Sequence, residues 1–448
     1  MKNKKHGPAA VIITVSAVVV IAAAAAALFL LGRGAFGGSD YTIPEVDLSR
    51  PDRYPSGRFD ELTALNVVDD SDDYLAHPDS VLLKDGSIFT VFPLGHGKGS
   101  ILARYSDDLG KSWKKWPFKT PDSWQNSLET PTVFRLCFTD GSEKLLLVSG
   151  NPKWPGMSTD GGFNCSLSDD EAKTWTEFAT FFDKNSDTPV VPIVAMASLV
   201  RLKENGRFVD KWMGFFHDAD FFNYSTVLSF DDDGQMRWSA PKKYFSAYRE
   251  IEKRSNMCEV CVIRSDGGKG SELCLISRSN TKRMNSLVSF SADEGLTWSE
   301  PREAPAALNG ERHKALYTSD GRLFITFRSI ERGELAASHA RGGLFRRTKW
   351  LSEGWVAWVG TYDDLKNGSE GQYRIRLAHT YLDGQTSPEY SANADTGYCG
   401  NVLLPDGTIV TTSYGAFDPE KLTKEGKRKV SICSKRVDLT LTDELAKQ

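Results

Sequence analysis

The sequence has little net charge and few cysteines, and both shortages limit what the protein can be. Its 448 residues carry a formal net charge of −4, so no overall charge attracts nucleic acid. The seven cysteines are an odd number, and Cys258 and Cys261 have no second Cys or His pair at zinc-ligand spacing. We therefore predict no nucleic-acid partner, no metal and no cofactor. We expect buried apolar cysteines, with one or two disulfides if the domain is exported.

The N-terminus combines a basic start with a long apolar run. The first seven residues are basic, and residues 9–31 are small and apolar without interruption, which is long enough to span a bilayer as a helix. A cleaved signal peptide has a shorter apolar core of about 7–15 residues, and positive flanking charge stays in the cytoplasm. We predict a cytoplasmic tail and signal anchor over 1–31, a linker over 32–60 and an extracytoplasmic domain over 61–448. Cleavage of the Ala-rich run, and hence secretion, is the alternative.

One short motif recurs at a nearly constant spacing. Ser-x-Asp-x-Gly-x-Thr/Ser-Trp is complete at 106–113 and 291–298, has Ala172 in place of glycine at 168–175, and is degenerate at 229–238. Its first serines are residues 106, 168, 229 and 291, and such a fixed period indicates a repeat fold. The Asp can bond backbone N–H groups, the Gly supplies a positive φ and the Trp fills an apolar gap. Each copy therefore predicts a tight turn between two strands.

A second turn signal occurs six times between alternating apolar runs, which is typical of β-hairpins. The six dipeptides are Asp85-Gly86, Asp140-Gly141, Asn205-Gly206, Asp266-Gly267, Asp320-Gly321 and Asp406-Gly407. With a further strand pair behind each hairpin, they predict an all-β, six-bladed β-propeller, and seven blades is the alternative. The widest interval, 320 to 406, predicts extra strands or a long loop around residues 355–362 and 372–380.

The repeated motif resembles the Asp boxes of the sialidase (neuraminidase) superfamily, and the resemblance covers about residues 70–435. It implies a sialidase-like propeller in which Asp108, Asp170 and Asp293 are structural, because Asp boxes lie away from the active site in that family. Function in such folds gathers where loops converge at one end of the central channel.

Sialic acid carries a carboxylate on its anomeric carbon, and this determines the side chains that a sialidase needs. Guanidinium groups match the carboxylate with paired hydrogen bonds. A carboxylate nucleophile would be repelled by the substrate, so a neutral tyrosine activated by a glutamate serves instead.

Two stretches look like the family's catalytic segments. The stretch around Glu259, followed by Arg278, looks like the segment that supplies the activating glutamate and one carboxylate-binding arginine. The stretch from Gly397 to Gly407 looks like the last-blade segment with the nucleophile, which would be Tyr398. We add Arg312, Arg328 and His217 as substrate contacts and Asp218 as a candidate catalytic acid.

The sequence departs from the family pattern at one place. The family's first arginine stands in Arg-Ile-Pro before the first hairpin, whereas residues 76–79 read Ala-His-Pro-Asp, and the following loop 93–99 contains no Asp. His77, Asp79 and His96 are the remaining polar groups nearby, and a histidine can do acid–base work near neutral pH.

Three hypotheses follow. The first is a membrane-anchored exo-glycosidase of the sialidase type that acts on glycans ending in an acidic sugar. Tyr398 attacks in this scheme, Glu259 accepts its proton, and His77, Asp79 or Asp218 protonates the leaving oxygen. The second is a propeller that cleaves another acidic polysaccharide by hydrolysis or β-elimination, and the third is a carbohydrate-binding propeller without catalysis.

Overall fold

Six sheets arranged as propeller blades make up the structure, a computed structural model that describes residues 41–95, 99–126, 129–151, 160–330, 354–384, 386 and 395–448. The all-β, six-bladed prediction is therefore confirmed. Each sheet has at its centre consecutive antiparallel strands, and alternating apolar residues bury its faces between neighbouring blades.

The strands fall into blades in chain order. Blade 1 holds β3 (Asp79–Leu82), β4 (Ile88–Pro93), β5 (Ile101–Ser106) and β6 (Lys114–Lys115). Blade 2 holds β7 (Thr132–Cys137), β8 (Glu143–Gly150), β9 (Phe163–Ser168) and β10 (Ala179–Phe181). Blade 3 holds β11 (Pro192–Glu204), β12 (Arg207–Asp218), β13 (Asn223–Phe230), β14 (Met236–Trp238) and β15 (Lys242–Lys243).

The second half of the chain forms three more blades, two of which are completed by N-terminal strands. Blade 4 holds β16 (Met257–Arg264), β17 (Leu273–Ser279), β18 (Leu287–Ser291) and β19 (Arg302–Glu303). Blade 5 holds β20 (Gly310–Tyr317), β21 (Leu323–Ser329), β22 (Trp355–Gly360), β23 (Tyr373–Ala378) and, parallel to β23, β1 (Glu45–Asp47). Blade 6 holds β24 (Gly397–Leu403), β25 (Ile409–Gly415), β26 (Ser431–Val437) and β2 (Asn66–Asp69).

Helices are short and lie between strands or at the chain end. They are α1 (Asp60–Thr63), α2 (Arg249–Ser255), α3 (Tyr362–Asn367) and α4 (Leu439–Leu445), with 3₁₀ turns at Pro51–Arg53, Asp122–Asn126, Ser246–Tyr248 and Ala306–Leu308. A helical turn at Ser265–Gly268 contains the left-handed Asp266 and Gly267. No helix in the described part of the chain is long and apolar enough to cross a membrane, and the predicted anchor, residues 1–31, lies outside that part.

The ring closes through β2, which pairs with β26 so that an early segment supplies the outer strand of the last blade. Blade 1 is then joined to blade 6 by polar contacts as well. The Ser80 hydroxyl lies 2.9 Å from that of Thr412, and the Trp113 indole donates to Ser434 Oγ at 2.8 Å. The described part of the predicted linker, residues 41–60, is also bound to the propeller, because β1 pairs with β23 of blade 5.

Each of the two recurring turn motifs is found at one fixed position in the blades. All six Asp/Asn-Gly dipeptides join the first two strands of a blade, between β3 and β4 in blade 1 and at the equivalent places in the other five. The complete motifs follow the third strand. In the copy that begins at Ser291, this hydroxyl accepts from Gly295 N at 2.9 Å, and Asp293 accepts from Thr297 N at 2.9 Å. First and third strands run in the same direction, so both kinds of turn lie at the end of the channel opposite the starts of the innermost strands.

Two expectations need correction. Residues 355–360 and 373–378, which we expected to add strands or a long loop, are the regular third and fourth strands of blade 5. All seven cysteines are free thiols, so no disulfide is formed, and six of them are buried.

Candidate active site

The predicted site residues gather where the innermost strands begin. Asp79, Glu259, Arg312 and Tyr398 lie within the first three residues of β3, β16, β20 and β24. The second strand of a blade ends beside the start of the first, and this brings in further side chains. Three residues are supplied in this way: Arg278, Arg328 and His217. Their partners on the first strands are Cys258, Glu311 and Val194, in that order.

A recurring backbone irregularity sets the direction of these side chains. Glu259, Arg312 and Tyr398 have φ values of 49°, 57° and 57°, and each lies where the pairing of the first two strands shifts register. A β-bulge of this kind redirects the side chain that it carries, and left-handed non-glycine residues cluster at functional sites. Met196 in blade 3 and His77, just before blade 1, also have positive φ.

Tyr398 and Glu259 form the central contact. The Tyr398 hydroxyl donates to Glu259 Oε1 at 2.5 Å, and Arg278 Nη1 lies 3.1 and 3.0 Å from the two carboxylate oxygens and 3.3 Å from the hydroxyl. Burial raises the pKa of Glu259, but Arg278 and Arg312 outweigh this effect and hold it below its usual range. Burial and the Glu259 charge raise the pKa of Tyr398 well above its usual value. The pair is therefore a neutral phenol donating to an ionised carboxylate.

A second buried carboxylate, Glu311, holds three cations in place. Its oxygens lie 2.5 Å from Arg328 Nη2, 2.8 Å from Lys282 Nζ and 3.2 Å from Arg278 Nε. Burial raises the pKa of Glu311, and the cations, Arg278 first, lower it to about 2. Arg278 also donates to Asn280 Oδ1 at 2.7 Å, so protein acceptors already engage much of its guanidinium.

Arg312 is different because part of its guanidinium is unpaired. The side chain is buried, and its Nη1 has no hydrogen-bond partner among the described residues. Its Nη2 makes one long contact of 3.5 Å to Thr132 Oγ1, and its Cζ lies 5.3 Å from the centroid of the Tyr398 ring. An unpaired donor in a buried cation is costly, so this guanidinium can bind an anion from outside.

His77 lies against the nucleophile candidate. The centroids of the His77 and Tyr398 rings are 4.1 Å apart with an interplanar angle of 33°. His77 Nδ1 is 3.2 Å from Thr130 Oγ1 and 3.7 Å from Glu129 Oε1, and all three residues are buried.

The remaining three predicted residues lie at this end without joining the Tyr398 cluster directly. Asp79 accepts from Lys314 Nζ at 3.0 Å and from Val133 N. Asp218 accepts from the backbone of its own loop and from the Tyr224 hydroxyl at 3.1 Å. Burial lowers the pKa of His217 to about 4, so its imidazole is neutral at neutral pH.

Sequence reasoning missed Glu129 and Glu311. Glu311 adjoins Arg312 in Gly-Glu-Arg-His-Lys, and a carboxylate in a strand of mixed charge gave no signal of its own. No group of His, Cys, Asp and Glu in the described residues is arranged to hold a metal ion.

The comparisons with known proteins agree with this architecture. Residues 120–398 match the family described as BNR repeat-like domain. A protein of unknown function from Dyadobacter fermentans is 14% identical over 83% of this chain and 96% of that chain, with a TM-score of 0.53. An α-L-arabinofuranosidase from Fusarium graminearum, solved with an iminosugar inhibitor, is 11% identical over 85% and 99%, with a TM-score of 0.52.

A sialidase from Streptococcus pneumoniae is also similar, at 11% identity over 84% of this chain and 71% of that chain, with a TM-score of 0.46. No curated protein matches the sequence. At these identities the solved structures are evidence for the fold alone.

Proposed function

The chain belongs to the BNR repeat-like domain family, and from this premise we propose that it is an exo-glycosidase that hydrolyses a terminal acidic sugar, sialic acid or a close relative, from glycans. The single observation that carries the proposal is the 2.5 Å hydrogen bond from the Tyr398 hydroxyl to the ionised Glu259. We further propose that the propeller is extracytoplasmic and attached to a membrane by residues 1–31, or secreted if that run is cleaved.

In the proposed reaction Tyr398 is the nucleophile and Glu259 its base. The phenol oxygen attacks the anomeric carbon while its proton passes to Glu259, and the bond from that carbon to the leaving oxygen breaks. The leaving oxygen takes a proton from a general acid, for which the candidates are His77, Asp79 and Asp218, and departs as a hydroxyl group. Water then attacks the anomeric carbon of the aryl glycoside and gives its proton to that group, while the Tyr398 oxygen leaves and takes its proton back from Glu259. Arg278 lies within hydrogen-bond distance of both partners, so it holds Glu259 ionised and in place.

The preference for an acidic sugar rests on charge. Arg278, Arg328 and Lys282 share the Glu311 carboxylate, whereas Arg312 has an unpaired Nη1. A substrate carboxylate at Arg312 would supply the missing acceptor by a charge-assisted hydrogen bond. Of the groups predicted to protonate the leaving oxygen, Asp79 and Asp218 are already engaged by Lys314 and by the 218–222 loop.

A second candidate function is β-elimination on a uronate polymer. It is favoured by the contact between the His77 and Tyr398 rings, because an imidazole and a phenol can serve as base and acid in removing a proton beside a carboxylate and expelling the 4-oxygen. This reaction leaves an unsaturated, ultraviolet-absorbing sugar, whereas hydrolysis does not.

The test is release of free sialic acid from sialyllactose by the purified full-length chain. Tyr398→Phe and Glu259→Gln should each abolish release, and Tyr105→Phe, a tyrosine on β5 in blade 1, is the matched control that should retain it. Unchanged release by Tyr398→Phe refutes the mechanism. If the wild type releases nothing, an unsaturated product from uronate polymers would support elimination, and glycan retention with no product would support a binding protein.

A further inference from the structure

His217 resembles Arg312 in having an open hydrogen-bonding position inside the site. Its side chain is buried, and its Nδ1 has no hydrogen-bond partner among the described residues. The same is true of Arg312 Nη1, but that atom belongs to a cation, whereas Nδ1 belongs to an imidazole. A buried polar atom without a partner costs free energy, and a bound ligand can supply the missing partner.

The strand pairing of His217 fixes the direction of its side chain. His217 on β12 pairs with Asn223 on β13, and such cross-strand partners project from the same face of a sheet. Asn223 Nδ2 donates to Met257 O at 2.9 Å, at the start of β16 in blade 4. His217 therefore faces blade 4 as well, where Glu259 follows Met257 by two residues.

The imidazole is uncharged in this position. Burial lowers the pKa of His217 to about 4; the charge of Glu259 opposes this effect, and those of Arg278 and Arg312 add to it. A neutral imidazole has one N–H donor and one acceptor nitrogen, so it suits a hydroxyl or an amide group. A carboxylate is bound better by Arg312, because its guanidinium is charged.

The loop that follows His217 holds the ring in one orientation. The Phe221 ring lies nearly parallel to it, with centroids 5.8 Å apart and an interplanar angle of 11°. The loop is closed by two hydrogen bonds, from Phe221 N to Asp218 O at 3.1 Å and from Phe222 N to Asp218 Oδ1 at 2.9 Å. A ring supported in this way presents its unpaired nitrogen in a fixed direction, as recognition of one particular group requires.

We propose that His217 is a specificity-determining residue that hydrogen-bonds an uncharged hydroxyl or amide substituent of the same terminal sugar whose carboxylate binds Arg312. The inference rests on the proposed function, because it assigns a second recognition contact in that site. The two residues together select a sugar that carries a carboxylate and, at another position, a neutral polar group.

The kinetic test is hydrolysis of sialyllactose by full-length variants whose urea unfolding matches the wild type. His217→Phe keeps an aromatic ring beside Phe221 and removes both nitrogens. It should raise KM about 5- to 10-fold, the size of one hydrogen bond between neutral groups, and leave kcat nearly unchanged. His217→Asn places an amide near the position of Nδ1 and should recover much of the lost affinity. A wild-type KM in His217→Phe overturns the proposal.

A binding measurement identifies the substituent and does not depend on turnover. Calorimetric titration of the wild type and of His217→Phe uses free sialic acid and analogues that each lack one hydroxyl or the acetamido group, which forms a double-mutant cycle. One analogue should bind the wild type about 5- to 10-fold more weakly than sialic acid does, and should bind His217→Phe as well as sialic acid does. Equal losses in both proteins for every analogue overturn the inference.

The binding cycle also separates this inference from the proposed function. A wild type that binds sialic acid without releasing it from sialyllactose refutes the hydrolysis, and the cycle still decides the role of His217. If sialic acid does not bind, the same cycle with glucuronic acid and its deoxy analogues decides that role. Binding of neither acid overturns the inference together with the proposed function.

Discussion

Replacing Glu311 with glutamine should destabilise the protein far more than an ordinary loss of one ion pair. The glutamine keeps the shape but removes the charge shared by Arg278, Arg328 and Lys282. The pKa of Glu311 falls from 4.5 to about 2 in the folded protein, which corresponds to about 3 kcal/mol in favour of the ionised form. Removing one partner of a buried ion pair costs about 3–5 kcal/mol. We therefore expect Glu311→Gln to lower the free energy of unfolding at pH 7 by about 3–5 kcal/mol.

The stabilisation that Glu311 provides should also depend on pH. The folded-state pKa of Glu311 is lowered, so its stabilisation is fully present above about pH 4.5 and is lost as the pH falls through about 2. Urea unfolding followed by tryptophan fluorescence at several pH values measures both effects. Glu61→Gln is the matched control, because Glu61 is 66% exposed and pairs with Lys111 on the surface, where such a pair contributes about 0–1 kcal/mol. A Glu311→Gln cost no larger than that of Glu61→Gln, or one that persists undiminished at pH 2, would refute the reasoning.

Two further predictions concern a glycine with positive φ beside the site and a buried lysine. Gly397→Ala should lower both the free energy of unfolding and the rate of sugar release. Gly397, which precedes Tyr398, has a φ of 83°, and an added Cβ would lie 2.7 Å from Arg328 Cβ. Urea unfolding and the release assay measure the two effects, and wild-type values in both would contradict the prediction. Lys435→Met should abolish a rise in stability between about pH 7 and 10. Burial lowers the pKa of Lys435 from 10.5 to about 7, so above pH 7 the folded protein binds fewer protons than the unfolded chain. A rise of equal size in the variant would show that another group causes it.

The fold was predictable because its signals are local. An Asp-Gly dipeptide between alternating runs specifies a hairpin through its own turn chemistry, and all six such dipeptides join the first two strands of a blade. The Asp-box motif likewise fixes its own turn, and the family match confirms the resemblance that the motif suggested. The expectation of extra strands at 355–362 and 372–380 was wrong, because these segments supply regular strands of blade 5, and residues 331–353 of the same interval lie outside the described part of the chain.

The site was only partly predictable because its geometry depends on backbone irregularities. Glu259, Arg312 and Tyr398 converge through bulges with positive φ, and non-glycine residues give no sequence signal for that conformation. Glu311 matters because of the cations that other strands bring to it, and Glu129 because His77, from another part of the chain, lies beside it. Such roles come from long-range packing, which local propensity does not encode.

The closure of the ring by β2 also determines when the protein can finish folding. Asn66 pairs with Ser434, so the outer strand of the last blade leaves the ribosome long before its partner exists. Tyr398, on β24 of that same blade, meets Glu259 only late in synthesis. Contacts this distant along the chain form slowly, and until then the unpaired edge of β2 is open to wrong pairing. The reactive tyrosine and its base thus come together in the last steps of biosynthesis.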